Sequence, residues 1–126
     1  MHDLPIVSIP LFHGGNYISL GFVIGPDFVY LSDVNRVPDA TMAYLKTLAI
    51  DVLVVDALLR KQHPSHFSLE EAVDCARALR PRRALLVGMT CSMGLHEEVN
   101  RELRALRKEG LDVQLAHDGL CVGLNL

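Results

Sequence analysis

Short apolar runs separated by polar turns mark out the first part of the chain. Residues 5–12, Pro-Ile-Val-Ser-Ile-Pro-Leu-Phe, alternate loosely and are interrupted by Pro10. Proline cannot donate to a sheet ladder, so this pattern predicts an edge strand. His13-Gly14-Gly15-Asn16 follows as a turn, and residues 17–24 predict a second strand with Ile18, Leu20 and Phe22 on one face. Gly25-Pro26-Asp27 is a hairpin-type connection into a third strand over 28–31, which stops at Ser32-Asp33-Val34-Asn35. The three together read as an antiparallel meander.

The period then changes. Pro38 suits the first position of a helix, and Met42, Leu45 and Ala49 recur at helical spacing with Leu48 beside them. Residues 52–55 are an apolar run, β-branched and short enough for a buried strand. Ser68-Leu69-Glu70-Glu71 matches a capping box, in which Ser68 caps the helix and Glu71 reaches back. Leu69, Ala72, Val73, Ala76 and Leu79 make its buried stripe, and Pro81 ends it. Residues 84–87 predict another strand, and 97–109 a helix with Val99, Leu103 and Leu106 inward and Gly110 as its C-cap. A strand over 111–116, a tight turn at His117-Asp118-Gly119 and an apolar return over 120–124 complete the chain. Alternating strands and helices predict an α/β fold with a mixed sheet and flanking helices. At 126 residues it reads as a single domain, 1–126.

Composition adds one suspicion. Half the residues are hydrophobic and 21% are charged, and a mean hydropathy of +0.26 is high for so short a chain. Yet no apolar run reaches the roughly 18 residues a membrane span needs, so no membrane partner is expected. The excess points instead to a sheet face that a second copy or another partner covers. The net charge of −3 carries no footprint for nucleic acid. Arg77, Arg80, Arg82 and Arg83 straddle a helix end, where cations favour both dipole and water. Cys75, Cys91 and Cys121 lie far apart with no basic-then-apolar leader before them, the pattern of a reduced, cytoplasmic protein.

Titratable side chains gather just past the strands: His13, Asp33, the His63/His66 pair, Cys91, and His117 with Asp118. Strand ends on one rim of a sheet can bring imidazole and carboxylate together around a divalent metal. Each residue also has a plainer reading. Asp33 fits an Asx-turn, His66 caps the turn before Ser68, and the other histidines fit as hydrogen-bonded turn residues.

The combination is more specific. His13-Gly14, Tyr30-Leu31-Ser32-Asp33, Val55-Asp56-Ala57-Leu58, His63-Pro64-Ser65-His66-Phe67 and Leu115-Ala116-His117-Asp118-Gly119 come in that order. They resemble the carboxy-terminal half of metallo-β-lactamase-fold hydrolases, most closely the phosphoribosyl cyclic phosphodiesterase and related hydrolases. The resemblance implies half of an αββα sandwich and a phosphoric diester hydrolase dependent on zinc or manganese. It implies a metal ligand at His13, a bridging carboxylate at Asp33 and a proton-handling residue near the phosphate at His66. His63 is left as a turn residue or a substrate contact, and Asp56 as a residue that fixes the loop by hydrogen bonds. Two departures stand out. The family's His-x-His-x-Asp-His run has no match in residues 1–126. Cys91 stands where the family has its last histidine ligand, either as a thiolate ligand or as a small buried side chain. The chain alone is therefore expected to be weakly active or inactive, with a non-catalytic, self-associating α/β module as the alternative.

Overall fold

Six strands pair in sequence order: β1 (Ile6–Phe12), β2 (Ile18–Ile24), β3 (Phe28–Leu31), β4 (Val52–Asp56), β5 (Arg83–Val87) and β6 (Val113–Leu115). They are seen in a computed structural model that describes residues 3–125. β1, β2 and β3 form the predicted antiparallel meander, and β3 to β6 are parallel to one another. Because β1 and β3 both oppose β2, β1 also runs with the parallel set. Only β2 is reversed, so the other five strands end on one rim.

Three helices, α1 (Asp39–Lys46), α2 (Leu69–Leu79) and α3 (His96–Leu103), cover one face of the sheet. The core beneath them joins Leu45, Ala72, Val73, Ala76, Val99 and Leu103 to alternate residues of every strand, among them Leu11, Val23, Val29, Leu53, Val55, Leu86 and Leu115. β4 is buried along its whole length, which is why its residues read as an unbroken apolar run. The capping box of α2 forms as the sequence predicts. The Glu71 N–H donates to Ser68 Oγ at 3.2 Å, and the Ser68 N–H donates to Glu71 Oε1 at 3.0 Å.

Two helices are shorter than their patterns. α1 stops at Lys46, and Ala49 lies exposed beyond it while Leu45 is buried. The Thr47 hydroxyl donates to the Tyr44 carbonyl at 2.6 Å, taking an acceptor at the helix end and competing with further winding. The helix expected over 97–109 is α-helical only through Leu103 and continues as a tighter 3-10 turn over Arg104–Glu109. Gly110, at φ +79°, closes it.

The second face of the sheet is covered in part. Ile18, Leu20 and Phe22 do share a face, but it is the one turned away from the helices, with Ile18 52% and Leu20 54% exposed. Across β4 and β5 the same face is covered: Leu120, Val122 and Leu124 pack on Val52, Val54 and Leu85. The arginines straddling the end of α2 face acids: Arg77 pairs with Asp74 and Glu109, Arg82 with Asp51, and Arg83 with Asp112. Among the described residues no helix is long and apolar enough to cross a membrane.

Candidate metal centre at the strand ends

The shared direction of five strands decides where the chemistry sits. β1 runs into His13, β3 into Asp33, and β4 ends on Asp56 ahead of the loop that carries His63 and His66. His13 Nδ1 donates to the Ser65 carbonyl at 2.6 Å. His66 Nδ1 donates to Asp56 Oδ2, also at 2.6 Å. Each ring thus has its Nδ1 occupied and its Nε2 left as an open acceptor. The rings meet edge to face with centroids 4.8 Å apart. One donor atom each from His13, Asp33 and His66 lies within 4.8 Å of the others.

The backbone holds these side chains against some resistance. Asp33 has φ +52°, a left-handed conformation that costs a non-glycine residue of order 1 kcal/mol or more. Its neighbours fix it there. Ser19 Oγ donates to the Asp33 carbonyl at 2.7 Å, the Val34 N–H donates to Asp56 Oδ2 at 3.3 Å, and the Asn35 N–H donates to the Phe12 carbonyl at 2.8 Å. Two glycines make room. Gly14 has φ +84°, and a Cβ there would lie 3.0 Å from Ser65 Cβ. Gly88 has φ +79°, and a Cβ there would lie 2.9 Å from Asp56 Oδ1.

Asp56 is 3% exposed. Burial pushes its carboxyl above the ordinary value, opposed by the hydrogen bonds from His66 and the Val34 N–H. This carboxylate–histidine pair sets the tautomer and angle of His66, as carboxylates do behind the histidines of metal sites. A carboxylate oxygen and imidazole Nε2 atoms suit a borderline or hard divalent cation such as zinc or manganese. By donor chemistry the residues present fit such an ion.

The remaining candidates stand outside that group. His63 stands next to His66, ring centroids 5.3 Å apart, and its Nδ1 faces Ser65. Cys91 is outside the His13–Asp33–His66 group and exposed, so the reading of a small buried cysteine is corrected. Met93 takes the buried position of that short turn instead. Cys91 lines a separate groove with His96 and His117, where His96 Nε2 donates to the Ala116 carbonyl at 2.8 Å. Sequence reasoning missed Ser65, whose carbonyl anchors His13, and Asn35, whose side chain accepts the Gly14 N–H at 2.8 Å. No spacing announces either, since both act across long stretches of chain.

Comparison with known proteins agrees with this fold. The family model of the beta-lactamase superfamily domain matches residues 1–89. The solved structure of a diphosphatase from the PhnP family superposes with a TM-score of 0.86 at 32% identity, covering 100% of this chain and 46% of that one. The metallo-beta-lactamase fold protein YhfI from Bacillus subtilis superposes with a TM-score of 0.73 at 17% identity, over 95% of this chain and 49% of that one. An octanoyltransferase from Porphyromonas gingivalis is 29% identical over 97 residues, 76% of this chain and 19% of that protein. The chain thus spans less than half of each of these two structures and about a fifth of the transferase.

Proposed function

The chain belongs to the beta-lactamase superfamily, and we propose that it carries the strand-end part of a metal-dependent phosphoric diester hydrolase site. The convergence of His13, Asp33 and His66, with both imidazoles turned to leave Nε2 open, supports this most directly. His13 and Asp33 are the residues that would hold zinc or manganese. When bound, the cation would polarise a phosphoryl oxygen and offset developing negative charge. His66, held by Asp56, moves a proton at its Nε2 beside the reacting phosphate.

Two ligands from this chain fall short of the three protein ligands usual for a catalytic zinc. Cys91, the third candidate, lies outside the group. The chain alone is therefore proposed to bind its cation weakly and to turn over slowly or not at all. Calorimetric titration with zinc and manganese tests the site: binding should weaken at least about tenfold in His13→Ala and in Asp33→Asn. Binding that is absent from the parent chain, or unchanged in both variants, sinks the proposal. Hydrolysis of bis(p-nitrophenyl) phosphate that disappears in His13→Ala would overturn the inactivity.

A second reading rests on the uncovered sheet face. Ile18 and Leu20, with Tyr30 on the neighbouring strand, are exposed on it, and contiguous apolar patches of this kind mark interfaces. On this reading the chain self-associates through that face as a non-catalytic module. Sedimentation tests it: a monomer at every concentration, with no dye-binding surface, counts against it.

A further inference from the structure

Three imidazoles meet on the rim, and they do not share one polarity. A backbone N–H can only donate, and the Ser65 N–H points at His63 Nδ1 from 3.2 Å, with Ser65 Oγ 3.3 Å from the same atom. His63 Nδ1 is therefore the unprotonated nitrogen, and the neutral ring carries its proton on Nε2. His13 is held the opposite way, because its Nδ1 must donate to the Ser65 carbonyl. A single residue, Ser65, thus sets two tautomers of opposite sense: its N–H faces one ring and its C=O the other. His66, donating through Nδ1 to Asp56, matches His13.

The rim consequently offers two open lone pairs and one N–H. The lone pairs on His13 and His66 suit a cation or a proton. An Nε2–H repels a cation and serves an oxyanion. His63 is half-buried, and its ring lies beside that of His66 at a centroid separation of 5.3 Å. For His63 to ligate a metal through Nε2, its proton would have to leave that atom without moving to Nδ1, where the Ser65 N–H points.

We infer that His63 is a substrate-positioning residue whose Nε2–H donates to a non-bridging oxygen of a phosphate ester held beside His13 and Asp33. The assignment rests on the functional reading above and deepens it, separating the cation-facing His13 and the proton-carrying His66 from an anion-facing His63. The bland alternative is that His63 does no more than close its own turn through Ser65.

Two substitutions separate these roles. Asn places an acceptor where Nδ1 stood and can keep the turn, as Asx-turns do, but loses the distal donor. Gln places an N–H near Nε2 and gives up the bond to the Ser65 N–H. Inorganic phosphate is the probe, titrated calorimetrically into the zinc-loaded chain. In His63→Asn, phosphate binding should weaken about tenfold, the scale of one hydrogen bond to a charged group. Zinc affinity and thermal midpoint should stay those of the parent. His63→Gln should keep phosphate binding within about threefold of the parent. Phosphate binding unchanged in His63→Asn, or lost equally in both variants, overturns the assignment, as does zinc affinity lost in His63→Asn. Nitrogen-15 spectra of the metal-free chain test the tautomer alone: a His63 proton on Nε2 supports the assignment and one on Nδ1 overturns it. A parent chain that binds no zinc would remove the functional reading, while the spectra still decide the tautomer on which His63 rests.

Discussion

His66 Nδ1 and Asp56 Oδ2 lie 2.6 Å apart, and the carboxylate that makes this contact is almost wholly enclosed. The pair ties the last residue of the central strand to the loop ten residues on. Asp56→Ala should cost about 2–4 kcal/mol in urea denaturation, because it leaves the Val34 N–H without its acceptor and His66 without its anchor. Asp56→Asn keeps an acceptor oxygen of the same shape and should cost about half as much. Equal losses in the two variants would show that packing, not the hydrogen bonds, sets the cost.

The two faces of the sheet should answer differently to the same truncation. Leu53 is fully buried under the helices, so Leu53→Ala should destabilise by about 2–5 kcal/mol. Leu20 is 54% exposed on the other face, and Leu20→Ala should stay within about 0.5 kcal/mol while reducing any self-association. Urea midpoints read the first effect and sedimentation the second. A large urea effect at Leu20 would mean that this face is already packed in solution.

Much of this architecture is legible in the residues. The unbroken run at 52–55, the Ser68/Glu71 box and the proline in β1 each carry a local reason for the element they form, and each forms it. Where α1 and α3 end was less legible. Met42, Leu45, Leu48 and Ala49 keep helical spacing past the point where Thr47 turns the chain, so periodicity alone overruns the helix. The faces of β2 were ambiguous too, because its apolar residues stand on both sides and only the position of the helices decides between them. Within the site, strand ends pointed to His13, Asp33 and His66. Asp56, placed at the end of its strand as a residue that fixes the loop by hydrogen bonds, does so through His66 and the Val34 N–H. The grip of the Ser65 carbonyl on His13 depends on tertiary approach that no short pattern encodes.

Acid should weaken the fold through its surface pairs. Arg82 beside Asp51, Arg60 beside Glu102 and Arg77 beside Glu109 each hold the carboxyl below its ordinary range. Lowered carboxyl values contribute stability above the unfolded pKa and lose it as pH falls through the folded one, so the loss belongs below about pH 4.5. Asp56 has the opposite sign: its raised value makes ionisation a cost that fades on acidification. Thermal melts from pH 7 to pH 2.5 should show the decline, and 1 M salt should flatten it because the arginine of each pair reaches solvent. A melting temperature that rises through this range would contradict the pairing.

The three thiols should titrate as two and one. Cys91 and Cys121 are exposed, whereas Cys75 is buried in the core with its thiol pushed up to about 12. An aromatic disulfide reagent at pH 8 should consume two thiols quickly and the third only in denaturant. Three fast thiols in the native chain would show that α2 opens readily.

The hydrogen bond from His13 to the Ser65 carbonyl spans 52 residues of chain. The meander bearing His13 and Asp33 is built from near neighbours, while Ser65, His66 and Asp56 arrive with the crossover through α1 and β4. Contacts across so long a separation carry a larger loop-closure entropy and raise the contact order, which slows folding. The cluster is complete only once that closure is made, so a cation or phosphate that binds only the closed form would draw the chain towards it.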